Sequence, residues 1–110
     1  MPVTTQDKVI ALSRDFGSQR RLAELLGVSP AQVTRWRHGR GIDDANAGRV
    51  DLLELVMADL LRLYSVEAAG RWLLGVNPSL GERRPLDLIR RGRARELLDA
   101  IASERAGSFA

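Results

Sequence analysis

The chain has 110 residues and a formal net charge of +3, and 45% of its residues are hydrophobic, enough for one domain or for one small domain with a helical extension. It has no cysteine, which excludes disulfides, thiolate metal sites and cysteine nucleophiles and fits a cytoplasmic protein. No apolar run approaches the ~20 residues of a membrane span, and the first residues lack the pattern of an export signal, so we expect no membrane association.

The first predicted element is a helix that begins at Thr4 or Thr5 and ends near Phe16. Val9, Leu12 and Phe16 lie at helical spacing, which predicts one apolar face. We expect this helix to support the motif that follows it.

A helix, a tight turn and a second helix are predicted between Ser18 and Arg40. Ser18 and Ser29 are good N-caps, and Pro30 stands at a first helical position, where its missing N–H costs nothing. Gly27 falls at the turn, where we expect a positive φ. The apolar side chains expected to point inward are Leu22, Ala23, Leu25, Leu26, Val33 and Trp36.

This stretch resembles the helix-turn-helix of the Xre family, the phage-repressor-like DNA-binding domains. Ala23 is small enough for the two helices to approach closely, Gly27 makes the turn, and Val28, Val33 and Trp36 hold the pair together. The resemblance implies that the second helix enters the major groove of DNA. An ordinary helical hairpin with no DNA role is the alternative interpretation.

Arginine is concentrated on and beside this motif. Residues 16–42 contain five arginines and one acidic residue, a balance that suits phosphate neutralisation, although a solvated basic face is the alternative. An arginine such as Arg35 can contact a guanine edge bidentately. The predicted base-reading residues are Ala31, Thr34, Arg35 and, on the flank, Gln32. The predicted phosphate-binding residues are Gln19 and Arg37.

After a loop over residues 39–44, one long helix is predicted over residues 46–64. It is apolar around most of its circumference, and such a helix must be covered on two sides. The second cover comes either from the chain itself or from another subunit, since helix-turn-helix proteins often bind palindromic operators as dimers.

Three short helices are predicted in the C-terminal half. Ser65 caps the first, an Asn-Pro pair at residues 77–78 ends it, and Gly92 separates the other two. The first of these helices is predicted to contain residues 68–74, the second to run over 86–91 after Pro85, and the last to run over about 93–105. Residues 106–110 are predicted to be irregular.

Residues 68–101 resemble the Xre/MbcA/ParS toxin-binding domain. The elements that carry this resemblance are Trp72-Leu73, Asn77-Pro78 with Leu80-Gly81, Pro85-Leu86-Asp87-Leu88-Ile89, Gly92-Arg93 and Leu97-Leu98-Asp99-Ala100-Ile101. Their order and spacing are specific to the pattern, although no single element is. The chain departs from it at Arg84, where the family more often has a small hydroxyl residue or glycine before the proline, so we expect a weak helix cap there.

The resemblance implies an antitoxin of a bacterial type II toxin–antitoxin system. The expected fold is all-α, with a helix-turn-helix region over residues 1–45, a connecting or dimerisation helix over 46–64 and a toxin-binding domain over 65–110. The implied partner is a RES-domain toxin that destroys NAD and whose cleft the C-terminal half obstructs. The helix-turn-helix is then expected to repress the operon's own promoter. The expected assembly is a homodimer or a larger toxin–antitoxin hetero-oligomer.

The toxin-binding residues are expected in a basic cluster and at the C-terminus. Residues 83–95 contain six arginines against Asp87, which suits an acidic protein partner, with nucleic acid or solvent as the alternatives. The resemblance is the reason to expect Phe109 inside the toxin's cleft. The predicted toxin-binding residues are Trp72, Arg83, Arg84, Arg90, Arg91, Arg93 and Phe109.

Catalysis has little support in this sequence. It has no glycine-rich phosphate loop and no His-Glu-x-x-His motif, and its lone histidine, His38, has no partner for a metal site or a triad. We therefore predict a protein that is not an enzyme and has no metal or cofactor. The alternative function is a stand-alone Xre-family transcriptional regulator with a C-terminal dimerisation domain, and a third is an orphan antitoxin-like domain.

Overall fold

The computed structural model describes residues 4–107, and over this range the chain is all-α as predicted, with seven α-helices, one short 3-10 helix and no strand. The α-helices are α1 (Thr5–Asp15), α2 (Gln19–Leu26), α3 (Pro30–Arg37), α4 (Asp44–Leu60), α5 (Val66–Leu74), α6 (Pro85–Arg90) and α7 (Ala94–Gly107), and the 3-10 helix is Pro78–Leu80. None of these helices combines the length and apolarity needed to cross a membrane. The chain divides into two compact units after Glu54, inside α4.

Side-chain caps start each of the first three helices of the first unit. The hydroxyls of Thr4, Ser18 and Ser29 each accept a hydrogen bond from a backbone N–H in the first turn. Gln32 completes a capping box, because its Oε1 accepts from the Ser29 N–H at 3.0 Å. Gly27 ends α2 at φ 72°, the left-handed conformation that the sequence predicted. The helix-turn-helix geometry is therefore encoded locally.

Helices α1, α2 and α3 pack against one another around the inward face predicted for the motif. Val33 is fully buried and Trp36 is 2% exposed, which confirms the prediction from their three-residue spacing. Ser13 is also buried, and its hydroxyl donates to the Val9 carbonyl at 2.8 Å, so the polar atom is satisfied. The buried apolar side chains of this unit are Val9, Leu12, Leu22, Ala23, Leu25, Leu26, Val33, Trp36, Val50, Leu52 and Leu53.

Helix α4 begins two residues earlier and ends four residues earlier than the predicted range of 46–64. At its start, Asp43 Oδ1 accepts from the Asn46 N–H at 3.0 Å and acts as the cap. At its end, the Leu60 carbonyl accepts from the N–H groups of Leu63 and Tyr64 at 2.9 and 2.8 Å, which tightens the last turn. The predicted C-terminal boundary was wrong because apolar periodicity continues through this turn.

Most of the apolar surface of α4 is buried within the single chain. The exceptions are Leu55, which is 45% exposed, and Leu61, just after the helix, at 39%. The buried apolar side chains of α4 are Val50, Leu52, Leu53, Val56, Met57 and Leu60. The chain itself therefore covers these six side chains, and a dimer through this helix stays a prediction.

In the second unit, a buried asparagine holds the loop between α5 and α6. Asn77 is 7% exposed; its Oδ1 accepts from the Ser79 N–H at 2.9 Å, and its own N–H donates to the Arg83 carbonyl at 3.0 Å. Arg84 precedes α6 without a side-chain cap bond, as expected from the departure at that position. The buried apolar side chains of this unit, Pro85 aside, are Val56, Met57, Leu60, Ala69, Leu73, Leu80, Leu86, Leu88, Ile89, Leu97, Ala100 and Ile101.

Helix α7 continues to Gly107, so the prediction that Ala106 and Gly107 are irregular was wrong. The last turns are held by side chains from other parts of the unit, because the Glu104 carboxylate accepts hydrogen bonds from Tyr64 and Trp72. Such tertiary contacts stabilise a helix beyond the point where local propensity would end it.

Candidate functional site

The six residues predicted to contact DNA lie on two helices of the first unit, α2 and α3. The exposed members are Ala31, Arg35 and Arg37, and the half-buried members are Gln19, Gln32 and Thr34. The structure joins Gln19, Thr34 and Arg37 directly, whereas Gln32 serves the capping box at the start of α3.

A chain of hydrogen bonds connects α2 to α3 at this surface. Gln19 Nε2 donates to Thr34 Oγ1 at 2.7 Å, and Arg37 Nη1 donates to Gln19 Oε1 at 2.8 Å. The Thr34 hydroxyl then donates to the Pro30 carbonyl at 3.0 Å. The Gln19 amide therefore holds Thr34 through its Nε2 and Arg37 through its Oε1. The Arg37 guanidinium is thus already oriented in the free chain.

A side chain from α1, Gln6, adds a second contact to the same arginine. Its Nε2 donates to the Arg37 carbonyl at 2.8 Å, which satisfies one of the carbonyls left open at the C-terminal end of α3. Sequence reasoning missed this residue, because nothing in the local pattern distinguishes Gln6 from other exposed polar residues of an amphipathic helix.

A cavity of about 250 Å³ lies beside this network and has a basic lining. Arg14 and Arg37 contribute two guanidinium groups, with Ser18 and Gln19 beside them. Two arginines that converge on one cavity suit an anion such as a backbone phosphate, since guanidinium N–H groups form charge-assisted hydrogen bonds with phosphate oxygens. Sequence reasoning missed Arg14 as well, because nothing in the local pattern sets it apart from other exposed arginines.

Arg35 differs from Arg37 in having no partner. Its side chain is exposed, and among residues 4–107 its guanidinium takes part in no hydrogen bond or ion pair. It is therefore free to take the geometry that a base edge requires, while Arg37 is held in place. The division between a base-reading Arg35 and a phosphate-binding Arg37 stays a prediction.

The basic cluster of the second unit, residues 83–95, is partly neutralised by Glu96, which directly follows it in the sequence. Glu96 accepts from Arg83, and Glu96 Oε1 also accepts from Arg93 Nη1 at 3.1 Å. Arg84 pairs with Asp87 at 3.4 Å. At least three of the six arginines are therefore in ion pairs, and Glu96 makes the net positive charge of the cluster smaller than residues 83–95 alone indicate.

The Glu96 carboxyl is expected to have a lowered pKa. Its hydrogen bonds from Arg83 and then Arg93 lower its pKa below the ordinary value of 4.5, because both favour the charged form. The stabilisation from these pairs is present above pH 4.5 and is lost as the pH falls through the lowered pKa.

Nuclear magnetic resonance titration of the side-chain carboxyl carbons measures this pKa directly. Arg83→Ala should raise the pKa of Glu96 towards 4.5, whereas Arg62→Ala, which removes an exposed arginine elsewhere, should leave it unchanged. The same Glu96 pKa in wild type and Arg83→Ala would contradict the pairing.

Trp72 lies apart from the basic cluster. Its Nε1 donates to Glu104 Oε1 at 3.3 Å, and the Tyr64 hydroxyl donates to Glu104 Oε2 at 2.8 Å. The bond to Glu104 raises the pKa of Tyr64, because ionising the phenol would lose the donated proton. Glu96, which holds the basic cluster, and Glu104, which holds Trp72, are eight residues apart on α7, about 12 Å of helix axis.

The other predicted toxin-binding residues lie on α6 or beside it. Phe109 is the exception, because it lies outside the described residues.

Comparison with known proteins shows similarity along nearly the whole chain. It is 28% identical over 100 residues to the mycobacterial cidal antitoxin MbcA of Mycobacterium tuberculosis and of Mycobacterium bovis, which covers 90% of this chain and 88% of those proteins. Its fold matches a chain in a crystal structure of the M. tuberculosis MbcT–MbcA toxin–antitoxin complex with a TM-score of 0.78 at 24% identity, covering 99% of this chain and 100% of that chain. No protein-family model matches the chain. The similarity confirms the resemblance to MbcA-type antitoxins predicted from residues 68–101.

Proposed function

We propose that this chain, a homologue of the mycobacterial antitoxin MbcA, is a cytoplasmic antitoxin that neutralises a RES-domain toxin and represses its own operon. The observation that carries this proposal is the similarity to MbcA over 90% of the chain, which includes most of both compact units. The RES identity of the toxin and its NAD-degrading activity rest on the resemblance of residues 68–101 to the toxin-binding domain.

The toxin-binding surface is proposed to include the basic cluster and the C-terminal tail. Arg91 and Arg95 are exposed, and neither has a hydrogen-bond or ion-pair partner within residues 4–107. They are therefore available to an acidic toxin surface, while Arg83 and Arg93 are oriented by Glu96. Phe109 is proposed to reach the NAD cleft, a role that stays a prediction from the resemblance.

Operator binding is proposed for the exposed side of α3. Support comes from the free guanidinium of Arg35, the fixed guanidinium of Arg37 and the basic cavity beside Gln19. A homodimer, or a larger assembly with the toxin, would place two such surfaces on the half-sites of a palindromic operator.

The antitoxin proposal is tested by co-expressing the chain with the RES-domain protein encoded beside it. The toxin alone should stop growth and deplete cellular NAD, and the full chain should restore both. Removal of residues 108–110, or Phe109→Ala, should weaken this rescue, whereas Ser108→Ala should not. Persistent NAD depletion in the presence of the full chain would contradict the antitoxin function, while full rescue by the shortened chain would contradict only the role of the tail.

A stand-alone transcriptional regulator is the second candidate function. It is favoured by the helix-turn-helix surface, whose hydrogen-bond network is complete within one chain. This candidate predicts operator binding in cells that encode no RES-domain protein, and it predicts no rescue in the co-expression experiment.

A further inference from the structure

Helix α7 borders a row of three cavities on the surface of the second unit. Their volumes are about 380, 370 and 240 Å³; the first and second share Glu104, and the second and third share Ser79 and Ser103. We call this row the α7 groove. From Glu96 to Gly107 it follows about 16 Å of helix axis, which is the length of about five residues of extended chain.

One end of the α7 groove is apolar and aromatic. Tyr64, Trp72, Val76 and Pro78 line this end, and Val76 is 60% exposed, the highest value among the large hydrophobic side chains of residues 4–107. Aromatic and aliphatic walls around an open cavity are typical of the pockets that receive an anchoring side chain in protein interfaces.

The walls at this end are already fixed in the free chain. Glu104 accepts from Tyr64 and Trp72 through its two carboxylate oxygens, so the polar atoms of both rings are satisfied and their apolar faces remain to line the cavity. A pocket held in this way loses little side-chain entropy when a ligand enters.

Four charged side chains line the α7 groove. Glu96 and Glu104 are held by the hydrogen bonds described above, whereas Arg71 and Asp99, at opposite ends, are not. Arg71 lines the apolar end and Asp99 lines the cavity at the opposite end. Both are exposed, and neither side chain has a hydrogen-bond or ion-pair partner within residues 4–107. An occupant that matches both charges must present an acidic group at the Arg71 end and a basic group at the Asp99 end.

We propose that the α7 groove is a docking site for an extended segment of the toxin. The segment inserts one apolar side chain between Trp72 and Val76. It places a neighbouring carboxylate against Arg71, and it places a basic side chain against Asp99. A polypeptide fits the groove better than a small molecule, because the separated charges and the length of the row require several residues. The inference rests on the proposed antitoxin function, and it adds a contact next to the basic cluster, which adjoins the groove at Glu96.

Binding of the purified full-length chain to the purified RES-domain protein from the co-expression experiment tests this site. Val76→Asp should weaken binding about 30-fold, the loss typical of a buried interface anchor, and Arg71→Glu about 10-fold, mainly through slower association. Matched controls are Ala11→Asp, an exposed alanine of α1, and Arg62→Glu, another exposed arginine. Both controls should stay within about twofold of wild type.

Thermal melting of each variant shows whether the chain is folded, and a photo-crosslinking amino acid at position 76 gives a second measurement that needs no destabilising change. The crosslink should form to the toxin. Wild-type affinity in both Val76→Asp and Arg71→Glu, or a crosslink only to a second copy of the chain, would overturn the proposal. Failure of the wild-type chain to bind the toxin would instead remove the antitoxin function on which the proposal rests.

Discussion

Trp36→Ala is expected to lower the free energy of unfolding of the helix-turn-helix unit by about 3–5 kcal/mol, the usual cost of deleting a buried large aromatic side chain. Trp36 is 2% exposed, and it lies on the inward face of α3 together with the fully buried Val33. Its removal leaves a cavity where α1 and α2 pack against α3. Because small domains are stable by only about 5–15 kcal/mol, this loss is a large share of the total.

Urea unfolding followed by circular dichroism measures this loss. Trp36→Phe is the matched control, since it keeps an aromatic ring in the core and should cost much less. Operator binding, followed by fluorescence anisotropy, should fall with the folded fraction of Trp36→Ala. If Trp36→Ala unfolds at the same urea concentration as Trp36→Phe, the core described here for the first unit is wrong.

Arg35→Ala is expected to reduce binding to the operator while leaving binding to scrambled DNA almost unchanged. A bidentate arginine–guanine contact contributes about 1–3 kcal/mol of discrimination, and the Arg35 guanidinium has no competing partner in residues 4–107. Arg37→Ala is expected to weaken binding to operator and to scrambled DNA equally, because a phosphate contact carries no sequence information.

Titrations of both DNAs at several salt concentrations separate the two roles. Arg37→Ala should lower the salt slope by about one unit, and Gln19→Ala should shift affinity in the same direction, because Gln19 holds the Arg37 guanidinium. Arg62→Ala, an exposed arginine of the second unit, is the control. Equal losses on both DNAs for Arg35→Ala and Arg37→Ala would argue against separate roles.

The sequence by itself determined the helical class and the geometry of the helix-turn-helix. Caps at Ser18 and Ser29 and the left-handed turn at Gly27 depend on backbone groups within a few residues, so local chemistry specifies them. The burial of Val33 and Trp36 follows from helical spacing, which is also a local property. The resemblance to MbcA-type antitoxins could also be predicted from the sequence, because it depends on the order of short sequence elements along residues 68–101.

The ends of the long helices were decided by contacts that spacing does not encode. Helix α4 stops at Leu60 although apolar residues continue, and there the Leu60 carbonyl accepts from the N–H groups of both Leu63 and Tyr64. Helix α7 continues to Gly107, where Glu104 in its last turns is held by Tyr64 and Trp72. For α7, these tertiary contacts stabilise the last turns beyond what local propensity predicts.

Only the tertiary structure decided which side chains act together. Gln19 meets Thr34 and Arg37, which are 15 and 18 residues away, and Glu104 meets side chains 40 and 32 residues away. Arg83 is 13 residues from Glu96, so a count of charges over residues 83–95 misses the acid that neutralises part of the cluster. Such contacts depend on how helices pack, and periodicity fixes the face on which a residue lies without fixing the residue that it meets.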